Sequence, residues 1–204
     1  RYSYQAILGS EKIKKVIRHP TEPSWIISSV HGNNKILMWN METKQLERIL
    51  WGSTDPPLSQ VTVSSHNPHT LKSPLNQTQS SSDTICALLA GCIDRSPFVL
   101  SGGTDQRVRF WNLDSPANSH LVAPAASDNG AKVTFASRLI DGFPVIYENP
   151  VVEKNKESGE DAPRGGPEQP PAGHRDCITD IALCKASQCF MVSASRDGIV
   201  KVWK

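Results

Sequence analysis

The sequence predicts an all-β protein, and three observations support this fold class. Gly, Pro, Ser and Asn interrupt the apolar runs throughout the chain, and no stretch keeps a helical apolar period over three turns. Short runs rich in β-branched and aromatic residues lie between these interruptions, as is typical of strands. Three of the runs end in Trp after the same spacing of polar residues. A chain of 204 residues with 38% hydrophobic content can bury one sizeable core.

The predicted strands follow from this punctuation. In chain order they are Tyr4 to Leu8, Ile13 to Arg18, Trp25 to Ser29, Lys35 to Asn40, Gln45 to Leu50, Thr84 to Ala90, Phe98 to Ser101, Arg107 to Asn112, Ile178 to Leu183, Cys189 to Ala194 and Ile199 to Trp203. The runs "KVTFASRLI" and "FPVIYENPVV" flank Asp141-Gly142, a hairpin-turn dipeptide. They predict an extra hairpin or strand pair outside the regular pattern.

Two polar segments break the rhythm of strands. Ser53 to Asp83 is rich in Ser, Pro, Thr and Asn, and Glu153 to Gly173 contains no aromatic residue and no Val, Ile or Leu. Because neither can bury enough apolar area to offset its ordering entropy, we expect loops that lack a fixed conformation.

A repeat becomes visible when the Trp-ending runs are aligned as "SVHGNNKILMW", "SGGTDQRVRFW" and "SASRDGIVKVW". Each copy has Ser, then Asp or Asn four residues later, then Trp six residues after that. The copies are Ser29, Asn33, Trp39; Ser101, Asp105, Trp111; and Ser193, Asp197, Trp203. The spacing between copies exceeds the roughly 40 residues of a propeller blade. The two polar segments account for the excess.

Composition excludes several classes of function. The net charge of +2 gives no overall attraction to nucleic acid or anionic lipid. The one basic cluster, Glu11 to Arg18, is interleaved with apolar residues and is interpreted as a solvated strand edge. The longest apolar runs, such as Ile85 to Leu89, are far shorter than the roughly 20 residues of a membrane span. No signal peptide is recognised at the start.

The five cysteines predict buried free thiols rather than a zinc site. They are Cys86, Cys92, Cys177, Cys184 and Cys189. Their number is odd and no CxxC pair is present, whereas zinc ligands usually come as short-spaced pairs. Cys86, Cys184 and Cys189 lie in apolar stretches, which favours a reducing compartment. We therefore expect a cytoplasmic protein.

The repeated motif resembles the WD repeat family, whose units are four-stranded blades of a β-propeller. In the third copy, Gly173-His174 stands upstream of Ser193, Asp197 and Trp203. The resemblance implies a structural tetrad in which the indole of Trp203 donates to Ser193. Ser193 in turn bonds His174, and His174 donates its other ring N–H to Asp197.

The other two copies depart from the family pattern and predict partial tetrads. Neither copy has a suitable upstream His, and the first has Asn33 in place of Asp. The Asp that usually follows Trp in the family is replaced by Asn40, Asn112 and Lys204.

The resemblance implies the C-terminal portion of a WD repeat β-propeller, with about three four-stranded blades of which the last lacks its own outer (d) strand. The predicted division is 1–10, an outer strand of an upstream blade; 11–52, a blade; 53–83, a polar insertion; 84–125, a blade; 126–173, an insertion with the extra hairpin; and 174–204, the last blade. The strand that completes the last blade is expected to come from elsewhere in the protein, as in other WD propellers.

Several candidate chemical sites are weak. A hydrolase built on Ser193, His174 and Asp197 lacks a nucleophile elbow and an oxyanion hole. His66 and His69 lie in a polar loop without a third metal ligand. Gly102-Gly103 lacks the strand-to-helix context of a phosphate loop. We expect no catalytic residue, no metal and no cofactor.

A narrower resemblance rests on "GNNKILMWNMET", "DQRVRFWNLD", "PRGGPEQPPAGHRD" and "SASRDGIVKVWK". These strings are similar to the family of large regulatory, protein-kinase-like subunits of class III phosphatidylinositol 3-kinase complexes. That resemblance implies a non-catalytic scaffold that works with the catalytic lipid kinase subunit, a Beclin-like subunit, coiled-coil proteins and possible Rab-type GTPases on endosomal and autophagic membranes. The alternative is an independent WD recognition module that binds a peptide or protein, for example in a ubiquitin ligase or chromatin complex.

Overall fold

The computed structural model describes residues 12–52, 82–128, 132–150, 172–185 and 187–204. Several predictions lie outside these residues. They concern the strand at Tyr4 to Leu8, the histidines His66 and His69, and most of both polar segments. Within the described ranges, every regular element is a strand except one short 3-10 turn at Pro116–Asn118. The all-β prediction is confirmed. No helix in these ranges has the length and apolar character needed to cross a membrane.

The described ranges contain thirteen strands, close to the predicted positions. In chain order they are β1 (Ile13–Arg18), β2 (Trp25–Val30), β3 (Lys35–Asn40), β4 (Gln45–Trp51), β5 (Ile85–Ile93), β6 (Ser96–Gly103), β7 (Val108–Asn112), β8 (His120–Ala123), β9 (Val133–Ile140), β10 (Phe143–Pro150), β11 (Ile178–Lys185), β12 (Cys189–Ser195) and β13 (Val200–Trp203). Each strand is short because a polar turn ends it after four to nine residues.

These strands form three sheets. Sheet 1 has the order β1-β2-β3-β4-β10-β9, sheet 2 the order β5-β6-β7-β8, and sheet 3 the order β11-β12-β13. The runs β1 to β4, β5 to β8 and β11 to β13 pair antiparallel in chain order, so each run is a meander of the kind that makes a propeller blade. We use the letters a to d for the successive strands of one meander.

The extra hairpin, β9 and β10, extends sheet 1. Its two-residue turn is Asp141-Gly142, and both residues have positive φ, 50° and 84°. That conformation is the one required by a type I′ hairpin turn, which explains the Asp-Gly pair. Strand β10 then runs parallel to β4, with Val145 opposite Ile49 and Tyr147 opposite Trp51. The first blade therefore has two additional strands at its outer edge.

Apolar side chains hold the sheets face to face. One cluster joins sheet 1 to sheet 2 and includes Ile27, Met38, Leu50, Val99, Trp111 and, from the hairpin, Phe135 and Ile146. A second joins sheet 2 to sheet 3 and includes Phe98, Leu100, Ile178, Ile181 and Met191. Burial of each such side chain contributes about 1.5–3 kcal/mol. A third cluster, with Leu37, Ile49 and Val145, covers the opposite face of sheet 1.

Sheet 3 ends at β13, whose neighbouring strand in the described part of the chain is β12. Val200 and Val202 on β13 are largely exposed. Sheet 3 therefore has three strands in the described part of the chain.

Candidate functional site: the tetrads and the buried ion network

The four polar residues singled out in the third copy form one hydrogen-bonded chain. The Trp203 indole N–H donates to Ser193 Oγ at 2.9 Å, and Ser193 Oγ lies 2.8 Å from His174 Nε2. His174 Nδ1 lies 3.0 Å from Asp197 Oδ2. Because a carboxylate can only accept, Nδ1–H donates to Asp197, which leaves Nε2 to accept the Ser193 hydroxyl proton. Each side-chain donor of this hydrogen-bonded tetrad therefore has an acceptor.

Strand pairing places these side chains. In sheet 3, Ser193 on β12 is opposite Lys201 and Met191 is opposite Trp203 on β13, so Ser193 and Trp203 point to the same face. Asp197 lies in the turn between β12 and β13, where Gly198 has φ 81°. That φ is strained for any residue with a Cβ, which explains the Asp-Gly turn.

His174 is fixed by the chain that leaves sheet 2. Its carbonyl accepts the Ala126 N–H at 3.0 Å, and it forms a bridge with Ala125. A Cβ on the preceding Gly173 would lie 2.2 Å from the Pro124 carbonyl oxygen. Only glycine permits this approach, so the Gly-His pair is a packing requirement.

The Asp197 carboxylate is strongly stabilised in its charged form. Burial alone would raise its pKa, but the Arg175 N–H, the His174 ring and the Ile199 N–H donate to it and lower its pKa to about 2. Both His174 and Ser193 are fully buried. The Ser193 hydroxyl is thus engaged inside the sheet, which argues against the hydrolase hypothesis because a nucleophile must meet its substrate.

The second copy keeps the Trp and Ser pair and replaces His with Arg. The Trp111 indole donates to Ser101 Oγ at 2.8 Å. Asp105 accepts Nη1 of Arg109 at 2.7 Å, together with the Asn34 side-chain amide at 3.2 Å. The aspartate therefore lies where the repeat predicts it, but its cationic partner comes from strand β7 of the same copy.

Arg109 belongs to a buried ion network that the repeat did not predict. Its Nε donates to Glu148 Oε2 at 2.7 Å, and both side chains are 1% exposed. Burial acts to lower the pKa of Arg109, but Asp105 and Glu148 outweigh it and raise the pKa. Glu148 lies on β10, so the network fastens the extra hairpin to sheet 2.

A second arginine extends the network toward sheet 3. Arg107 forms a two-point ion pair with Asp128, at 2.8 Å and 2.6 Å. The hydrogen bond to Asp128 is the main reason that the pKa of Arg107 is raised. Asp128 Oδ2 also accepts the Ala125 N–H, which holds the segment that binds His174. The buried position of Arg109 could have been inferred from "RVRF", because Arg109 is two residues before the buried Trp111 and shares its strand face.

In the first copy, the hydrogen-bond partner of Trp39 is not the predicted Ser29. Its indole donates to Ser28 Oγ at 3.1 Å, whereas Ser29 Oγ donates to the Ile85 carbonyl of sheet 2 at 2.9 Å. Ser28 is opposite a residue nine positions further along the chain, whereas Ser101 and Ser193 are opposite residues eight positions further along. The connection between the paired positions is thus one residue longer in the first copy, which shifts the equivalent Ser by one position. A shift of one residue moves a side chain to the opposite face of a strand. Asn33 lies in that turn with φ 61°.

The Asn residues that follow Trp in two copies shape the c–d turns. Asn40 Oδ1 accepts the N–H groups of Glu42 and Thr43. Asn112 Oδ1 accepts those of Asp114 and Ser115 in the same way. Since an Asp side chain can accept these bonds equally, the Asn residues preserve the turn despite the altered motif.

The cysteine prediction is partly wrong. Cys177 is buried, and Cys86 is partly buried, but Cys92, Cys184 and Cys189 are exposed. Cys184 alternates along β11 with Leu183, which packs against sheet 2, so Cys184 points to the opposite face of sheet 3. In the described ranges, no group of three or more His, Cys, Asp or Glu residues is arranged to hold a metal ion.

Comparisons with known proteins agree with this architecture. Residues 167–204 match the family model "WD domain, G-beta repeat". Over 108 residues, 52% of this chain, the sequence is 30% identical to the serine/threonine-protein kinase VPS15 of Arabidopsis thaliana, and the match covers 7% of that protein. WD repeats are non-catalytic protein-interaction domains. The blade-like sheets, the tetrad and the two matches indicate that the fold is a portion of a WD repeat β-propeller, and about half of the chain is similar to VPS15.

Proposed function

We propose that this chain is a non-catalytic scaffold segment of a regulatory subunit that assembles and positions a class III phosphatidylinositol 3-kinase complex in autophagy and endosomal trafficking. The observation that carries the proposal is the internal use of the polar side chains. His174, Ser193 and Asp197 bind one another inside a sheet, and Arg109 binds Glu148 in the interior. Their role is to hold blades together. The similarity to VPS15 supports the proposal that the assembly is a phosphatidylinositol 3-kinase complex.

The contacts of such a scaffold come from the rim of the blades, because the faces are consumed by neighbouring sheets. Glu42–Lys44 and Asp114–Pro116 are the c–d turns of adjacent sheets, and we call them together the c–d rim. Both turns are largely exposed and carry charge. Arg48 of β4 donates from Nη1 to the Leu113 carbonyl at 2.6 Å, so sheet 1 is bound to the start of the second turn.

The proposed partners are the catalytic lipid kinase subunit, a Beclin-like subunit with its coiled-coil associates, and Rab-type GTPases. The proposed location is the cytoplasm, with attachment to endosomal and autophagic membranes through the complex. The chain spans about 7% of the length of the curated relative that it matches. The activity of that whole protein is therefore part of the proposal and is not assigned to these residues.

Co-purification from cell extract tests the proposal. The protein as it occurs in the cell should recover a lipid kinase, and the double variant Glu42→Lys with Asp114→Lys should recover several-fold less. The kinase should keep its intrinsic turnover. The matched control is Asp180→Lys, an exposed acid on β11 away from the c–d rim, which should leave recovery unchanged.

Two outcomes would contradict the scaffold. Recovery of a ubiquitin ligase or chromatin complex without a lipid kinase would support the alternative of an independent recognition module. Equal recovery by the rim variant and its control would show that the c–d rim is not the contact surface.

A further inference from the structure

Two cysteines from different sheets meet at the interface between sheets 2 and 3. Cys177 Sγ lies 3.7 Å from Cys86 Sγ, although the residues are 91 positions apart in the sequence. Cys86 belongs to β5, the inner strand of sheet 2, and Cys177 immediately precedes β11, the inner strand of sheet 3. The pair therefore spans two blades at their inner strands.

A β-bulge directs Cys86 toward its partner. The pairing of β5 with β6 shifts between Ile85 and Ala87, so Cys86 is the extra residue of the bulge. Bulges change the direction of a side chain and interrupt strand pairing. Cys177 is held from its own side, since its carbonyl accepts the Arg196 N–H at 3.0 Å. Both backbones are thus fixed by their own sheets.

Close packing of the two sheets brings the sulfurs into contact. A Cβ on Gly102 of β6 would lie 2.8 Å from Ile178 Cγ2, so glycine is needed for sheet 3 to approach this closely. Gly102 and Ile178 neighbour the two cysteines in the sheets. Gly102 thus has a structural use, because it lets β11, the inner strand of sheet 3, pack closely on sheet 2.

We propose that Cys86 and Cys177 are an oxidation site that closes into a reversible disulfide between two blades. The two sulfurs are 3.7 Å apart, and an S–S bond of about 2.05 Å requires them to approach further. The other three cysteines, Cys92, Cys184 and Cys189, are exposed on sheet surfaces. The geometry therefore selects one pair from the five.

The reaction requires an oxidant, for which we name hydrogen peroxide. Cys86 is the more exposed thiol, while Cys177 is 3% exposed and burial raises the pKa of Cys177 to about 11. Cys86 sulfur therefore attacks peroxide first, takes one oxygen as a sulfenic acid and releases water. Cys177 sulfur then attacks the Cys86 sulfur, the S–O bond breaks, and the Cys177 proton leaves with the oxygen as a second water. Two thiols and one peroxide become one disulfide and two waters.

The bond would add a covalent link to an interface in which apolar side chains of sheets 2 and 3 pack together. Cys177 lies three residues after His174, so the cross-link also restrains the segment that carries the tetrad histidine. A disulfide that closes a long loop restricts the unfolded chain and stabilises the fold. We therefore expect the oxidised protein to unfold at a higher temperature than the reduced protein.

Peptide mapping of the protein as it occurs in the cell tests the proposal. The reduced protein is treated with hydrogen peroxide, its remaining thiols are alkylated, and the protein is digested without reduction. Mass spectrometry should detect the Cys86 peptide joined to the Cys177 peptide, with a mass lower by two hydrogen atoms, and dithiothreitol should separate them. Cys86→Ser and Cys177→Ser should each abolish the joined peptide and the temperature shift. The control Cys92→Ser should keep both.

Three results would overturn the proposal. One is oxidation confined to Cys92, Cys184 or Cys189, and another is equal yield of the joined peptide when peroxide is added to denatured protein. The third is a joined peptide that forms without any change in unfolding temperature. Cys86→Ala is a second variant, and the unfolding temperature of each reduced variant shows whether the substitution alone has damaged the fold.

Discussion

At the scale of single residues, His174 has two structural roles. Its ring satisfies Ser193 and Asp197, and its backbone joins the segment that leaves sheet 2 at Ala125 and Ala126. A buried polar group without a partner costs free energy, so each tetrad member depends on the others. The tetrad thus couples the order of one sheet to the chain that arrives from its neighbour.

Removal of the His174 ring should destabilise the fold. His174→Ala leaves the Ser193 hydroxyl and the Asp197 carboxylate without their partner and creates a cavity. The free energy of unfolding should fall by about 2–4 kcal/mol, from the unsatisfied groups and the cavity together. Urea unfolding followed by circular dichroism measures it, with the exposed His31→Ala as control. Equal losses for both variants would contradict the structural role, and loss of a hydrolytic activity at unchanged stability would revive the hydrolase hypothesis.

Acid should weaken the tetrad through Asp197. The folded-state pKa of this carboxyl is about 2, below the ordinary value of 3.8. A lowered carboxyl pKa contributes stability that is fully present above 3.8 and is lost as the pH falls from 3.8 through about 2. The difference in unfolding free energy between the wild type and Asp197→Asn should therefore be constant from pH 5 to pH 7 and shrink below pH 4.

Urea titrations at a series of pH values measure that difference. Asp180→Asn, on an exposed position of β11 in the same sheet, reports the behaviour of a surface carboxyl. A difference that does not change between pH 5 and pH 2 would show that Asp197 is not held as a charged acceptor.

At the scale of elements, the hairpin β9 and β10 is fixed by one buried ion pair as well as by strand pairing. Arg109 on β7 and Glu148 on β10 come from different sheets and are both 1% exposed. The attraction between two buried charges offsets their desolvation cost only when each charge keeps its partner. The pair therefore selects where the hairpin sits more than it adds to stability.

Substitution of one partner should be costly and substitution of both much less so. Arg109→Met leaves Glu148 and Asp105 without their buried cation and should cost about 3–5 kcal/mol. The double variant Arg109→Met with Glu148→Leu should lose less than the sum of the two single losses. A double-mutant cycle from urea unfolding measures the coupling. Arg107→Met, at an arginine that is more exposed, is the control and should cost less. Strict additivity would show that the pair does not act as a unit.

Local sequence patterns predicted the strands, because alternation and turn residues are properties of neighbouring positions. The Ser and Trp spacing predicted two indole bonds correctly, to Ser101 and Ser193. It assigned Ser29 instead of Ser28 to Trp39, because one extra residue between the paired positions of β2 and β3 shifts the register. The parallel pairing of β10 with β4 joins segments separated by much of the chain. Sequence patterns carry little information on such distant contacts. The ion pair between Arg109 and Glu148 depends on the pairing of β10 with β4.

At the scale of the whole molecule, equivalent Trp residues have different surroundings. Trp111 is fully buried, and Phe135 of the hairpin packs on it edge to face at 5.1 Å. Trp203 is partly exposed and lines a groove of about 620 Å³ between sheets 2 and 3. The hairpin therefore completes one blade interface, while the next one stays open among the described residues.

In the described part of the chain, the strand paired with β13 is β12, on one side, and this edge beside the groove should make the 204-residue chain self-associate when it is expressed alone. A strand edge with exposed apolar side chains is a template for pairing with another chain. Val202→Lys places a charge on this edge, at a residue that is 59% exposed, and should lower association several-fold. Ile93→Lys makes the same change at a residue that is 55% exposed and lies at the end of β5 next to a turn, and it should have a smaller effect. Sedimentation velocity at a series of concentrations measures both. A monomeric wild-type chain would show that another segment covers β13, and equal effects of the two variants would assign the association to general surface hydrophobicity.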